Sequence, residues 1–270
     1  PLGSYVASRY RLVALLGQGG SGTVYHALDL EADPPLPVAL KLYHLPHGEG
    51  QSQRWRRVER EAHELAKIQH PAVIRLLAAG PWLDFFFVAM ELAEGETLKS
   101  RLTREARLPE PAVKALGRQV AGALEHLWQH HLVHRDVSPG NLMLGLDGTV
   151  KLLDFGIAKE PGVSSLTVQS QFFGNPYYVS PEYILGEDHL DIRGDVYSLG
   201  ATLYHAASGQ PPFSGSSDLE LLDSHFRFHP RPVRQIRAEL SPELEALLAR
   251  MLSRERAGRP WPAELLTAFA

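Results

Sequence analysis

The chain has 270 residues, 44% of them hydrophobic and 21% charged, which is enough apolar material for one large domain or two small lobes and too much for a disordered segment. Its 27 Lys and Arg against 31 Asp and Glu give a net charge of −4, so no global field attracts nucleic acid or an anionic membrane, and neither is expected as a partner. The absence of cysteine rules out a disulfide framework or a thiolate metal site and suits a cytoplasmic location, and no apolar run approaches the roughly 18 residues that span a bilayer.

Pro1-Leu2-Gly3-Ser4 reads as the remnant of a cleaved affinity tag and is set aside from the fold reading. Strands are predicted at Tyr10 to Leu16, Val24 to Leu28 and Val38 to Tyr43, separated by a glycine cluster and by the Asp33-Pro34-Pro35 turn. From Ser52 to Gln69 the period changes, with Trp55, Val58, Ala62, Leu65 and Ile68 on one helical face. Strands return at Val73 to Leu77 and Phe85 to Glu91. After Gly95 the character is helical: Val113, Leu116, Val120, Leu124 and Leu127 mark a long amphipathic helix ending before His134. Two short strands are expected within Leu142 to Leu153, and a helix apolar on most sides, hence buried, from Asp191 to Ala207. The expected class is therefore α+β, a β-rich part over residues 5–92 and a mostly helical part over 93–270. Ligands favour such a seam.

Gly17-Gln18-Gly19-Gly20-Ser21-Gly22-Thr23-Val24 lies between two strands, where missing side chains let backbone approach phosphates. By itself the spacing also suits a glycine-rich hairpin, while a dinucleotide site wants a helix next and here a strand follows. Val38-Ala39-Leu40-Lys41 sets a lysine in an apolar strand, which calls either for an anion at the ammonium or for a chain that snorkels to solvent. Glu61 shares its helix face with Val58 and Leu65 and is a candidate carboxylate for Lys41, or a solvated glutamate. In His134-Arg135-Asp136-Val137-Ser138-Pro139-Gly140-Asn141 and Asp154-Phe155-Gly156, Asp136 offers a proton acceptor, and Asn141 and Asp154 offer oxygen ligands suited to Mg²⁺. None of the 13 histidines stands in a zinc-ligand spacing, and they read as surface and turn residues.

Taken in this order, the glycine loop, strand lysine, helix glutamate and two aspartate motifs resemble the protein-kinase family, in its bacterial serine/threonine (Hanks-type) branch. The resemblance covers nearly the whole chain after residue 4 and implies the two-lobed kinase fold. It implies that Gly17, Gly19 and Gly22 cover the phosphates of ATP, that Val24, Ala39 and Met143 sandwich adenine, and that Met90, Glu91 and Ala93 form the hinge that hydrogen-bonds it. It further implies that Lys41, positioned by Glu61, holds phosphates, that Asn141 and Asp154 ligate Mg²⁺, with Mn²⁺ an alternative, and that Asp136 accepts the proton of a protein hydroxyl. Asp195 resembles the buried aspartate anchoring the loop of Asp136, Arg259 the arginine paired with Glu182, and Leu65, Leu76, His134 and Phe155 the family's regulatory spine.

The sequence departs from the pattern at Ser138, where the family usually carries lysine, and at Asn175, where it carries threonine. A coupled replacement is expected, with the Asn175 amide donating to Asp136 and its oxygen accepting from Ser138; the plainer alternatives are a turn at Asn175 and a space-filling Ser138. Autophosphorylation is expected at Thr167, with Ser164, Ser165 and Ser170 as alternatives, read by Arg57, Arg135 and Lys159, and a homodimer is the arrangement such a reaction in trans would use. The resemblance makes protein substrates the partners. A nucleotide-binding pseudokinase and, third, a small-molecule phosphotransferase are the competing readings.

Overall fold

The strand-like runs at the start of the chain pair into a six-stranded antiparallel sheet in a computed structural model that describes residues 2–19, 22–44, 51–155, 175–187 and 190–270. Its strands are β1 (Tyr5–Val6), β2 (Tyr10–Gly19), β3 (Gly22–Asp29), β4 (Leu36–His44), β5 (Leu76–Trp82) and β6 (Phe85–Glu91), in the order β1-β2-β3-β4-β6-β5, with helix α1 (Gln51–Leu65) between β4 and β5. The side-chain period of two divides the sheet's faces. One face supplies Val38, Leu40, Leu42, Phe87 and Ala89, which join Val6, Tyr10, Leu12 and Ala27 in a buried cluster. The chain divides into two compact units, residues 1–94 and 95–270.

Several elements depart from their expected bounds by three residues or more, β2 running on to Gly19 among them. The apolar run from Val73 predicts a strand start there, but β5 begins at Leu76. Val73 and Ile74 are buried, yet the Val73 N–H donates to the His70 carbonyl and the Ala72 N–H to His70 Nδ1. The turn has taken those N–H groups, so Val73 makes only an isolated bridge, and the two residues after it belong to no strand. The helix predicted to Gln69 likewise ends at Leu65.

In the second unit, a three-stranded sheet runs β7 (Glu96–Thr97), β8 (Leu142–Leu144), β9 (Val150–Leu152). The helices are α2 (Leu98–Glu105), α3 (Glu110–Gln129), α4 (Pro181–Leu185), α5 (Arg193–Ser208), α6 (Asp218–Arg227), α7 (Pro242–Met251) and α8 (Pro262–Ala268). Helix α5 is buried on every side, as its nearly unbroken apolar pattern requires. Gly200 makes its contact with α7 feasible, because a Cβ there would lie 2.7 Å from Met251 Cβ. Among the described residues, no helix is long and apolar enough to cross a membrane.

The starts of α3 and α7 are tied by one carboxylate. Glu110 accepts from the Ser241 N–H at 2.8 Å and pairs with Lys114 at 2.7 Å, while the Ser241 hydroxyl donates to it and caps the Leu244 N–H. Burial alone would raise the Glu110 pKa, but the hydrogen bonds from Lys114 and Ser241 outweigh it and bring it down to about 2. A depressed folded-state value means stability that is present above the unfolded value of 4.5 and lost as pH falls toward 2. Glu110→Gln is therefore expected to lose about 1–3 kcal/mol near neutrality. Melting curves of the two proteins should converge as the pH is lowered from 4.5 toward 2; a gap that stays constant with pH would refute the ionic origin.

Candidate active site

In the first unit one row of paired residues crosses four strands: Gly17 opposite Val24, Val24 opposite Lys41, Lys41 opposite Val88. Directly opposed residues share a face, and so do residues two apart on one strand. Val24, Ala39, Lys41 and Met90, which pairs with Ala39, consequently all project from the face opposite the apolar cluster. Four of the residues that sequence reasoning assigned to nucleotide binding on β3, β4 and β6 thus share one surface, whereas Glu91, next to Met90 on β6, alternates to the other face. Lys41 is only 2% exposed, and its Nζ sits 4.6 Å from the Tyr43 ring centroid. It does not snorkel. Glu61 is half-buried on α1, flanked by buried Val58, Ala62 and Leu65.

The glycines differ from one another. Gly22 has φ +135, and a Cβ there would fall 2.3 Å from the Leu42 carbonyl oxygen, so only glycine fits. Gly17 and Gly19 have open space where a Cβ would stand. A side chain at either would fill the backbone approach a phosphate needs. Glu91 ends β6, donating its N–H to the Arg75 carbonyl and accepting the Arg75 N–H on its carboxylate, and Ala93 stands two residues past the end of the strand.

In the second unit the loop of Asp136 is held from below by Asp195. This buried carboxylate, 1% exposed, accepts the His134 N–H at 2.6 Å and the Arg135 N–H at 2.7 Å. His134 Nε2 donates to the Leu153 carbonyl at 2.7 Å, its Nδ1 accepts the Asp136 N–H, and its ring packs 4.7 Å from that of Phe155. Asp136 and Asn141 are brought together: Asn141 Nδ2 donates to the Asp136 carbonyl at 2.8 Å and to its Oδ2 at 2.9 Å. With the amide nitrogen spent in this way, the Asn141 oxygen is the group that could ligate a hard cation. The Leu153 N–H bonds the Asn141 carbonyl at 2.8 Å, which sets Asp154 close to Asn141 along the chain path. Arg135 and Asp154 adopt left-handed backbone, with φ 67 and φ 49, a conformation that costs about 1–2 kcal/mol outside glycine and concentrates at functional sites. Met143 lies on β8, opposite Lys151 and Thr97.

Ser138 is buried, and its carbonyl accepts the Asn141 N–H. Asn175 forms a turn: its Oδ1 accepts the Tyr177 N–H at 3.2 Å and its carbonyl accepts the Tyr178 N–H at 3.1 Å. The oxygen that the coupled arrangement assigns to Ser138 is thus engaged by backbone. Thr167, Ser164, Ser165, Ser170 and Lys159, together with the side chain of Arg57, lie outside the described residues.

Glu182 and Arg259 form a bidentate pair, both buried, with N–O distances of 2.6 and 3.0 Å. The remaining guanidinium hydrogens go to the Ser253, Arg193 and Arg254 carbonyls. The histidines require a correction. His134 and His225 are 0% exposed, and His205 hydrogen-bonds buried Tyr178. His225 is thus an interior group and His205 a half-buried one, rather than surface or turn residues, while His134 stands among the residues that the resemblance places in the spine. A signal existed at His225, which stands three and four residues after Leu222 and Leu221 on the apolar face of α6.

Residues 10–268 match the protein kinase domain family. The chain is 33% identical over 258 residues to the serine/threonine-protein kinase PknB of Mycolicibacterium smegmatis, covering 93% of this chain and 40% of that protein. It is 37% identical over 214 residues to the serine/threonine-protein kinase PknL of Mycobacterium bovis, covering 79% and 53%. It thus spans about half or less of the length of these relatives. Among solved structures, Rad53 residues 1–466 in complex with AMP-PNP superposes with a TM-score of 0.79 at 24% identity, over 96% of this chain and 64% of that one, a likeness of fold.

Proposed function

Because the chain belongs to the protein kinase domain family, we propose that it transfers the γ-phosphoryl group of ATP to serine or threonine hydroxyls of proteins. The observation that carries this reading is the pairing of Asp136 with Asn141 on a loop anchored by buried Asp195. A carboxylate so fixed is suited to orient a hydroxyl and accept its proton. Lys41, with Glu61, is assigned to the phosphates, Gly17, Gly19 and Gly22 to backbone contact with them, and Val24, Ala39, Met90, Glu91, Ala93 and Met143 to adenine. Asn141 and Asp154 would hold Mg²⁺ or Mn²⁺, which when bound neutralises charge on the phosphates. Autophosphorylation of Thr167 or of Ser164, Ser165 or Ser170, and a homodimer that performs it, belong to the same proposal.

Incubation with γ-labelled ATP, Mg²⁺ and dephosphorylated casein should label both casein and the chain, and EDTA should reduce labelling to background. A second reading, a nucleotide-binding scaffold, is favoured by Ser138 and Asn175 standing where lysine and threonine are usual. ATP binding without any transfer would select it over the first.

A further inference from the structure

The turn that follows Asn175 is fastened by two imidazoles from two helices. His225, on α6, bonds the Pro176 carbonyl through Nε2 at 2.9 Å and the Tyr197 hydroxyl of α5 through Nδ1 at 2.7 Å. His205, on α5, bonds the Tyr178 hydroxyl through Nδ1 at 2.7 Å, its ring parallel to the tyrosine within 7°. Residue 176 is thus held by its backbone, residue 178 by its side chain, and Tyr177 stays exposed between them.

The bonding pattern identifies the tautomer of His225. A carbonyl only accepts, so Nε2 carries the hydrogen, and in a neutral ring Nδ1 then accepts from the Tyr197 hydroxyl. The ring is fully buried against Phe213, at 4.7 Å between centroids, and Tyr197. Burial pushes its pKa down, to about 4, in keeping with a neutral ring. Both polar atoms of a buried imidazole are satisfied, one by the core and one by the loop, which makes it a rigid strut from α5 to the backbone of residue 176.

We propose that His225 and His205 are positioning residues that hold the Pro176–Tyr178 turn in the shape that receives a protein acceptor, without touching nucleotide. This inference rests on the kinase reading. The turn lies in the sequence between Asp154 and α4, with two residues between it and the helix start at Pro181, and Tyr177 is an exposed aromatic whose two neighbours are clamped. Looseness at either clamp would degrade acceptor binding while leaving Asp136, Asn141 and Lys41 as they are.

The test compares phosphorylation of dephosphorylated casein with acceptor-free ATP hydrolysis, which uses water in place of the protein. His225→Leu should raise the casein KM roughly tenfold or more, with the ATP KM and the hydrolysis rate within about twofold of wild type. His225→Gln, whose amide N–H can reach the Pro176 carbonyl, should recover most of the loss, which lost packing would not predict. Tyr197→Phe keeps the ring volume, removes the hydroxyl and should shift the casein KM in the same direction, so the test survives if His225→Leu fails to fold. A parallel fall of both reactions, or an unchanged casein KM in a folded variant, overturns the proposal. A wild-type protein without transfer would instead defeat the kinase reading. The clamp would then be judged by hydrogen exchange at the Tyr177 and Tyr178 amides, which should quicken roughly tenfold in His225→Leu; unchanged exchange there would overturn it.

Discussion

Replacing Lys41 with methionine is expected to leave the melting temperature within a few degrees of wild type while phosphoryl transfer falls at least about 10²-fold. Methionine has nearly the length and volume of the buried lysine stem, and the site is an interior strand position opposite Val24 and Val88, so packing survives the change. What disappears is a cation at a place shielded from water, where a charge acts on phosphates far more strongly than at the surface. The decisive measurement is kcat with γ-labelled ATP beside a melting curve. Wild-type turnover in a folded variant would show that the sheet face bearing Val24, Ala39, Lys41 and Met90 is not the nucleotide surface. Full unfolding would show instead that the ammonium is structural.

Arg259→Met should be the most destabilising single change, costing about 3–5 kcal/mol, or a fall in Tm of roughly 10 °C. The guanidinium places all its donors in one buried spot, on both oxygens of Glu182 and on the Ser253, Arg193 and Arg254 carbonyls. Its removal strands a buried carboxylate and three carbonyls at once, and methionine supplies no donor. Arg259→Lys should recover little, because an ammonium carries three hydrogens in the wrong geometry for a planar fork. The double variant Arg259→Met with Glu182→Leu should regain part of the loss, since no charge is then left alone. A Tm change of about 2 °C or less in Arg259→Met would mean that water reaches Glu182 and that the pair contributes little.

Local features of the sequence were enough to assign most elements. Strand β6 runs from Phe85 to Glu91 as its unbroken apolar pattern predicts, and α5 is buried all round where the apolar residues leave no polar face. The order of strands, helix and then helices is likewise legible, because periods of 2 and 3.6 are written in nearest neighbours. The candidate site is legible as motifs, and the alternation of β4 already separates Lys41 from Leu40 and Leu42. The expected strand start at Val73 fails for a local reason as well, since the His70 side chain and carbonyl capture the amides that a ladder would need.

The tertiary structure alone decides which polar groups meet. His134 and Asp195 are 61 residues apart, Glu182 and Arg259 are 77 apart, and His225 reaches back 49 residues to Pro176; no periodicity relates such positions. The resemblance to a family named the first two partnerships, but not the bonds that make each one complete. The histidines show the limit most clearly. Composition gives His225 as one of 13, and its helical spacing from Leu221 and Leu222 places it on an apolar face without supplying partners for its nitrogens. Its burial depends on whether the fold brings an acceptor to Nε2 and a donor to Nδ1, because a buried imidazole is tolerated only when both nitrogens are satisfied. Pro176 and Tyr197 provide them, and chain packing puts both there. The left-handed backbone at Arg135 accompanies the same long-range contact, since the N–H of Arg135 is held by Asp195, 60 residues away.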